Sequence, residues 1–89
     1  MEDYAIAAYR SRTQVLRLEE KLRAEGVMCR VVSTPREVAL GCGLSVQFAL
    51  TDTDRVRRAV AALPGAGLIG LYRVHTSGPR RLSVLTLRG

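Results

Sequence analysis

Cys42 is the residue of this sequence whose surroundings most favour chemistry. It stands between Gly41 and Gly43, in the segment TPREVALGCGLSVQF that runs from residue 34 to residue 48. Flanking glycines leave the thiol unhindered and let the backbone adopt left-handed conformations. Successive N–H groups in such a turn can form an anion-binding nest. These features favour the thiolate, the form of cysteine that attacks sulfur and selenium electrophiles.

Arg36 is the nearest cation to Cys42 within this segment. It follows Pro35, whose ring fixes its own backbone φ angle. A guanidinium group close to the sulfur would stabilise its negative charge. The sequence therefore predicts a reactive cysteine supported by Arg36. The alternative is an ordinary cysteine in a glycine-rich turn.

The second cysteine, Cys29, lies in VMCRVV, residues 27–32, which is β-branched and typical of a strand. If Val32 pairs with Leu44 across a hairpin, Cys29 faces Gln47, and the two cysteines lie on the order of 16 Å apart. That separation is too long for a disulfide. We expect Cys29 to be a core or sheet-face residue and both thiols to be free, as is usual in the cytoplasm.

Two further patterns resemble a dinucleotide-binding motif and a metal site, but each is incomplete. GAGLIG, residues 65–70, matches G-x-G-x-x-G, but it follows a predicted helix, whereas a dinucleotide fingerprint follows a strand and opens a helix. His75 is the only histidine, and the cysteines are not in Cys-x-x-Cys spacing. We therefore expect no metal site and no cofactor.

A first helix is predicted after the opening strand YAIAAY, residues 4–9. Ser11 and Gln14 have the spacing of a capping box at its beginning, and Gly26 is a suitable end. Its apolar stripe contains Val15, Leu18 and Leu22, with Leu16 beside them.

The remaining periodicity completes the order βαββαβ. LSVQFAL, residues 44–50, alternates, with Phe48 on the apolar face and Ser45 and Gln47 on the other. A second helix follows TDTD, and GLIGLYRV, residues 67–74, is a fourth strand. RLSVLTL could add a fifth strand. This order predicts an α+β, ferredoxin-like sandwich in which two helices cover one face of an antiparallel sheet. The other face would be open or covered by a second copy of the chain.

Charge is distributed unevenly along the chain, whose net charge is +6. Residues 55–89 contain seven arginines and no acidic residue. Such a segment suits a nucleic acid or an acidic protein partner. Nucleic acid is the weaker expectation, because base-reading motifs are missing and Phe48 belongs to the predicted core. There is no membrane-spanning apolar run, and the acidic start differs from a signal peptide, so we expect a cytoplasmic protein without a membrane partner.

The segment around Cys42 resembles the signature of a small bacterial family of selenium/sulfur carrier-like proteins. In that family Pro-Arg-Glu and a short stretch of small or hydroxyl residues precede Cys-Gly and an apolar strand. GLIGLYRV is similar to the family's closing strand, so the resemblance covers about residues 4–74. It implies that Cys42 is the carrier thiol.

The resemblance also implies that Pro35, Arg36, Glu37 and Gly43 frame that thiol. Ala39 and Leu40 depart from the family's usual hydroxyl-bearing stretch, so any hydroxyl groups that would help to hold a bound anion there are missing from this chain.

The function implied is transfer of sulfur or selenium between donor and acceptor proteins, rather than turnover of a small substrate by an enzyme. The alternative is an interaction module that uses the basic C-terminal half. Residues 1–75 would form the carrier-like domain and residues 76–89 an extension. A strand in that extension could pair across a homodimer, which would cover an exposed sheet edge.

Overall fold

The structure, a computed structural model, describes residues 2–36, 38, 43–63, 67–76 and 82–86. Its strands form one antiparallel sheet in the order β2-β3-β1-β4-β5. The elements are β1 (Glu2–Tyr9), α1 (Arg12–Ala24), β2 (Cys29–Ser33), β3 (Leu44–Phe48), a 3₁₀ turn (Leu50–Asp52), α2 (Thr53–Ala62), β4 (Leu68–Thr76) and β5 (Leu82–Thr86). The α+β class and the additional C-terminal strand predicted from the sequence are confirmed.

β1 occupies the centre of the sheet and pairs with β3 on one side and β4 on the other. Ala7, for example, lies opposite Val46 of β3 and opposite Leu71 of β4. The two β-α-β units, β1-α1-β2 and β3-α2-β4, are interleaved in the sheet. β3 lies between β1 and β2, and β1 lies between β3 and β4. Because β1 and β3 pair antiparallel, the chain segments that follow β1 and precede β3 lie at the same end of the sheet.

α1 and α2 cover one face of the sheet. Val15, Leu18 and Leu22 of α1 are fully buried, as predicted, and they pack in one core cluster with Val56 and Ala59 of α2. Burial of each large aliphatic side chain contributes roughly 1.5–3 kcal/mol. Within the described residues, no helix has both the length and the apolar character required to span a membrane.

The ends of α1 agree with the sequence in part. Gly26 adopts φ 79°, the left-handed conformation expected after a helix. Ser11 occupies the N-cap position, but its side chain makes no capping hydrogen bond, so the predicted capping box does not form through this hydroxyl. Leu16 is 47 % exposed because its position in the helix points it away from the buried stripe.

The register of β2 against β3 differs by one residue from the expected pairing. Cys29 lies opposite Phe48, and Val32 lies opposite Ser45. Because side chains alternate between the two faces, this shift places Cys29 on the helix-covered face rather than opposite Gln47. Cys29 packs against the core cluster, in agreement with the role expected for it.

The second face of the sheet is covered at its centre by the chain itself, whereas we expected it to be open or covered by a second copy of the chain. Ile6 and Ala8 alternate with the residues that face the helices, yet both are fully buried. Tyr72 provides part of this cover. Its side chain lies over Gly70, where an added Cβ would come 2.9 Å from the tyrosine hydroxyl.

Candidate functional site

The candidate site is the connection between β2 and β3, which contains Cys42. Cys42, Glu37 and Gly41 lie outside the described residues. Pro35, Arg36 and Gly43 are described, and so are the two points where the connection joins the sheet. The geometry of the site is therefore that of its two ends and of the surfaces next to them.

The two ends are fastened together by Thr34. Its backbone N–H donates to the carbonyl of Gly43 at 2.9 Å. Its hydroxyl lies 2.7 Å from the hydroxyl of Ser45, and both residues are buried. Ser45 was expected on the polar face of β3, and its burial is tolerated because its hydroxyl is paired. The chain therefore leaves β2 and enters β3 at a fixed point.

Gly43 is favoured by close packing. A Cβ at this position would lie 3.2 Å from Thr34 Oγ1 and 3.9 Å from the carbonyl oxygen of Tyr9. Its φ angle is outside the left-handed region, where Gly26 and Gly67 are the glycines found among the described residues. We expected a glycine here because of its left-handed backbone conformations, and this reason is wrong for Gly43. The close contact that a side chain would make with Thr34 explains the glycine instead.

Pro35 begins a turn that exposes Arg36. The backbone N–H of Val38 donates to the carbonyl oxygen of Pro35 at 3.0 Å, and Arg36 lies inside this turn. Its side chain is exposed and forms no ion pair within the described part of the chain. The guanidinium group is therefore available to a negative charge near the loop.

Two further arginines, which the sequence analysis missed, lie beside the loop. Arg10 and Arg12 line a cleft of about 360 Å³ together with Gly43 and Leu44. They are brought there because β1 ends where β3 begins, with Tyr9 opposite Leu44. In the sequence, the two arginines are visible directly after the opening strand. Their proximity to Gly43 follows only from the pairing of β1 with β3.

Cys29 has the opposite environment. It is partly buried, and its Sγ lies 3.8 Å from the backbone carbonyl oxygen of Glu19, to which the thiol donates. Burial raises the pKa of the Cys29 thiol, and the negative charge of Glu19 raises it further. The protonated thiol is a poor nucleophile. Cys29 is therefore unsuited to carrier chemistry.

His75 has a carboxylate partner that the sequence did not reveal. Its Nδ1 lies 2.6 Å from Oδ1 of Asp3, and Arg73 lies 3.2 Å from Oδ2 of the same carboxylate. The hydrogen bond from His75 is the largest of the effects that lower the pKa of Asp3. These side chains lie at the end of the sheet away from the β2–β3 connection, so they take no part in the candidate site.

Comparison with known proteins identifies one family. The searches of curated proteins and of solved structures gave no match. The family model matches residues 4–63, from β1 to the end of α2, and so includes the whole connection that contains Cys42. The match is shorter than the resemblance proposed from the sequence, since β4 lies beyond it. The chain belongs to the family described as "Putative Se/S carrier protein-like".

Proposed function

We propose that the protein carries sulfur or selenium on Cys42 and passes it from a donor protein to an acceptor protein. The observation that supports this most strongly is the family match, which spans residues 4–63 and therefore the Cys42 segment. Burial and the charge of Glu19 raise the pKa of Cys29, the other cysteine. The chemistry is thus assigned to the thiol in the loop.

Loading would proceed by attack of the Cys42 thiolate on the outer sulfur of a persulfide on the donor. A bond forms between Cys42 Sγ and that sulfur, while the S–S bond of the donor breaks and its own thiolate leaves. The product is a persulfide anion on Cys42, and neither oxidant nor reductant is consumed. With selenium in place of the outer sulfur, the product is a selenosulfide.

Two features around the loop support this chemistry. Thr34 ties the ends of the connection to the sheet, which would present the segment between them to both protein partners. Arg36 is exposed and has no carboxylate partner among the described residues. A positive charge there would favour both the thiolate and the persulfide anion.

The test is intact-mass spectrometry after incubation with a cysteine desulfurase and cysteine. The wild-type protein should gain the mass of one sulfur atom, and a reductant should remove it. Cys42→Ser should gain nothing, while the matched control Cys29→Ser should be loaded like the wild type. An unchanged wild-type mass, or equal loading of Cys42→Ser, would contradict the proposal. Repeating the experiment with a selenium donor distinguishes the two elements.

The alternative of a nucleic-acid-binding module receives no support from Phe48. Its ring is 2 % exposed and belongs to the core cluster, so it is not available to stack on a base. Phosphate contacts by the exposed arginines of α2 would give binding that weakens steeply with salt. A filter-binding titration at low ionic strength tests this alternative directly.

A further inference from the structure

The cleft beside Gly43 contains positive charge without compensation. Arg10 and Arg12 both line it and both are exposed. No carboxylate is found among its described lining residues, and neither arginine forms an ion pair with a described residue. Arg23 and Arg73, by contrast, each have a carboxylate partner.

The position of the cleft adds to its positive potential. Arg10 and Arg12 flank Ser11, the N-cap of α1, and the first turn of this helix contains no acidic residue. The N-terminal end of a helix carries a partial positive charge. This contribution is secondary to the two guanidinium groups, whose planar donor arrangement fits the oxygens of an oxyanion.

We propose that Arg10 and Arg12 form a binding site for a small dianionic oxyanion of the class of sulfate and thiosulfate. Two guanidinium groups balance the two negative charges of such an ion, and a volume of about 360 Å³ is ample for it. Gly43 lines the cleft and directly follows Cys42 in the chain. The bound ion would therefore lie next to the carrier segment.

Thiosulfate is the member of this class that also contains a transferable sulfur. In a step that rests on the proposed function, the Cys42 thiolate attacks the outer sulfur of thiosulfate. The S–S bond to Cys42 forms as the S–S bond of thiosulfate breaks, and sulfite leaves with the electron pair. Charge and atoms balance, and the role of Arg10 and Arg12 in this step would be to bind the sulfonate oxygens.

The binding part is tested with sulfate, which cannot transfer sulfur. Titration at constant ionic strength, followed by amide NMR shifts, should show saturable binding by the wild type. The double variant Arg10→Gln/Arg12→Gln should bind at least about tenfold more weakly, because charge-assisted hydrogen bonds are lost. The matched control is Arg55→Gln/Arg58→Gln, which removes two exposed arginines of α2 that also form no ion pair with described residues.

The site, the thiosulfate step and the proposed function are each overturned by a different outcome. Absence of saturable sulfate binding, or equal weakening in both double variants, overturns the site and leaves only diffuse surface charge. Sulfate binding without mass gain from thiosulfate, in protein that a desulfurase does load, overturns the thiosulfate step alone. Cys42→Ser should still bind sulfate like the wild type. Failure of every donor to load Cys42 would therefore overturn the proposed function while the sulfate titration still decides the site.

Discussion

The two ends of the sheet differ in whether their charged groups form ion pairs and in the surroundings of their cysteines. At the end that joins β2 to β3, three arginines, Arg10, Arg12 and Arg36, have no carboxylate partner among the described residues. At the opposite end, Asp3 binds both Arg73 and His75. Paired charges contribute to holding strands together, whereas unpaired charges remain available to a ligand. Because the carboxylate of Asp3 lies at the opposite end, the end that joins β2 to β3 is the better suited to binding an anion.

The cysteines follow the same division. Cys29 lies at the start of β2, with its thiol donating to the backbone and its pKa raised. Cys42 belongs by sequence to the β2–β3 connection, and the next residue in the chain, Gly43, lines the arginine-lined cleft. We therefore expect one structural thiol and one reactive thiol.

The largest effect should be the difference in alkylation rate between the two thiols. Near neutral pH, Cys42 should react with iodoacetamide at least about tenfold faster than Cys29, because each unit of pKa changes the thiolate fraction about tenfold. The variants Cys29→Ser and Cys42→Ser, each with one thiol, allow the rates to be measured separately. Equal rates in the folded proteins would remove the distinction between the two ends.

The hydroxyl pair that fastens the loop should have the next largest effect. Thr34→Val or Ser45→Ala alone leaves one buried hydroxyl unpaired and should cost about 1–3 kcal/mol of unfolding free energy. The double variant should cost less than the sum of the single variants, since neither partner is then unsatisfied. Urea denaturation measures these values, with Ser33→Ala, an exposed neighbour on β2, as a near-neutral control. Additive losses would show that the two hydroxyls act independently.

Gly43→Ala should destabilise the protein by about 1 kcal/mol, because Thr34 is held by Ser45 and cannot move away from the new Cβ. Replacing Thr34 by alanine removes the contact and should abolish that cost. Gly26→Ala provides the comparison at a position with open space but positive φ, where the strain is in the backbone. Its cost should be the same in either Thr34 background, and the two stability cycles distinguish contact from strain.

The smallest effect should come from the ion pairs at the opposite end. Asp3 has a lowered pKa in the folded protein, so its contribution to stability is present above the ordinary value of 3.8 and is lost as pH falls through the folded pKa. The stability difference between the wild type and Asp3→Asn should therefore shrink on acidification below 3.8. Thermal unfolding at a series of pH values measures it. A difference that grows in acid would contradict the assignment.

Local patterns in the sequence were sufficient to predict most elements of this fold. The spacing of Val15, Leu18 and Leu22 predicted the buried side of α1, and Gly26 predicted its end. The alternation from Leu44 predicted β3, although the strand stops at Phe48 rather than at residue 50. These features depend on residues that are a few positions apart in the sequence, and hydrophobic periodicity detects patterns over such short separations.

Features that depend on strand pairing were not predictable in the same way. The register of Cys29 depends on one residue of shift between β2 and β3, which the hydrophobic pattern left undetermined. The pairing of His75 with Asp3 joins residues 72 positions apart. The arginine-lined cleft likewise exists because β1 lies beside β3. The cysteine segment was found from its composition, whereas the charges beside it required the topology.

The central position of β1 has a consequence for how the chain folds. Residues 2–9 are synthesised well before residues 68–76, which form β4, one of the two strands that pair with β1. Until that segment has been synthesised, one side of β1 has unpaired backbone groups that invite association with other chains. We therefore expect ribosome-bound or truncated chains that end after α2 to aggregate, and the slow step of folding to be the closure of this long-range pairing.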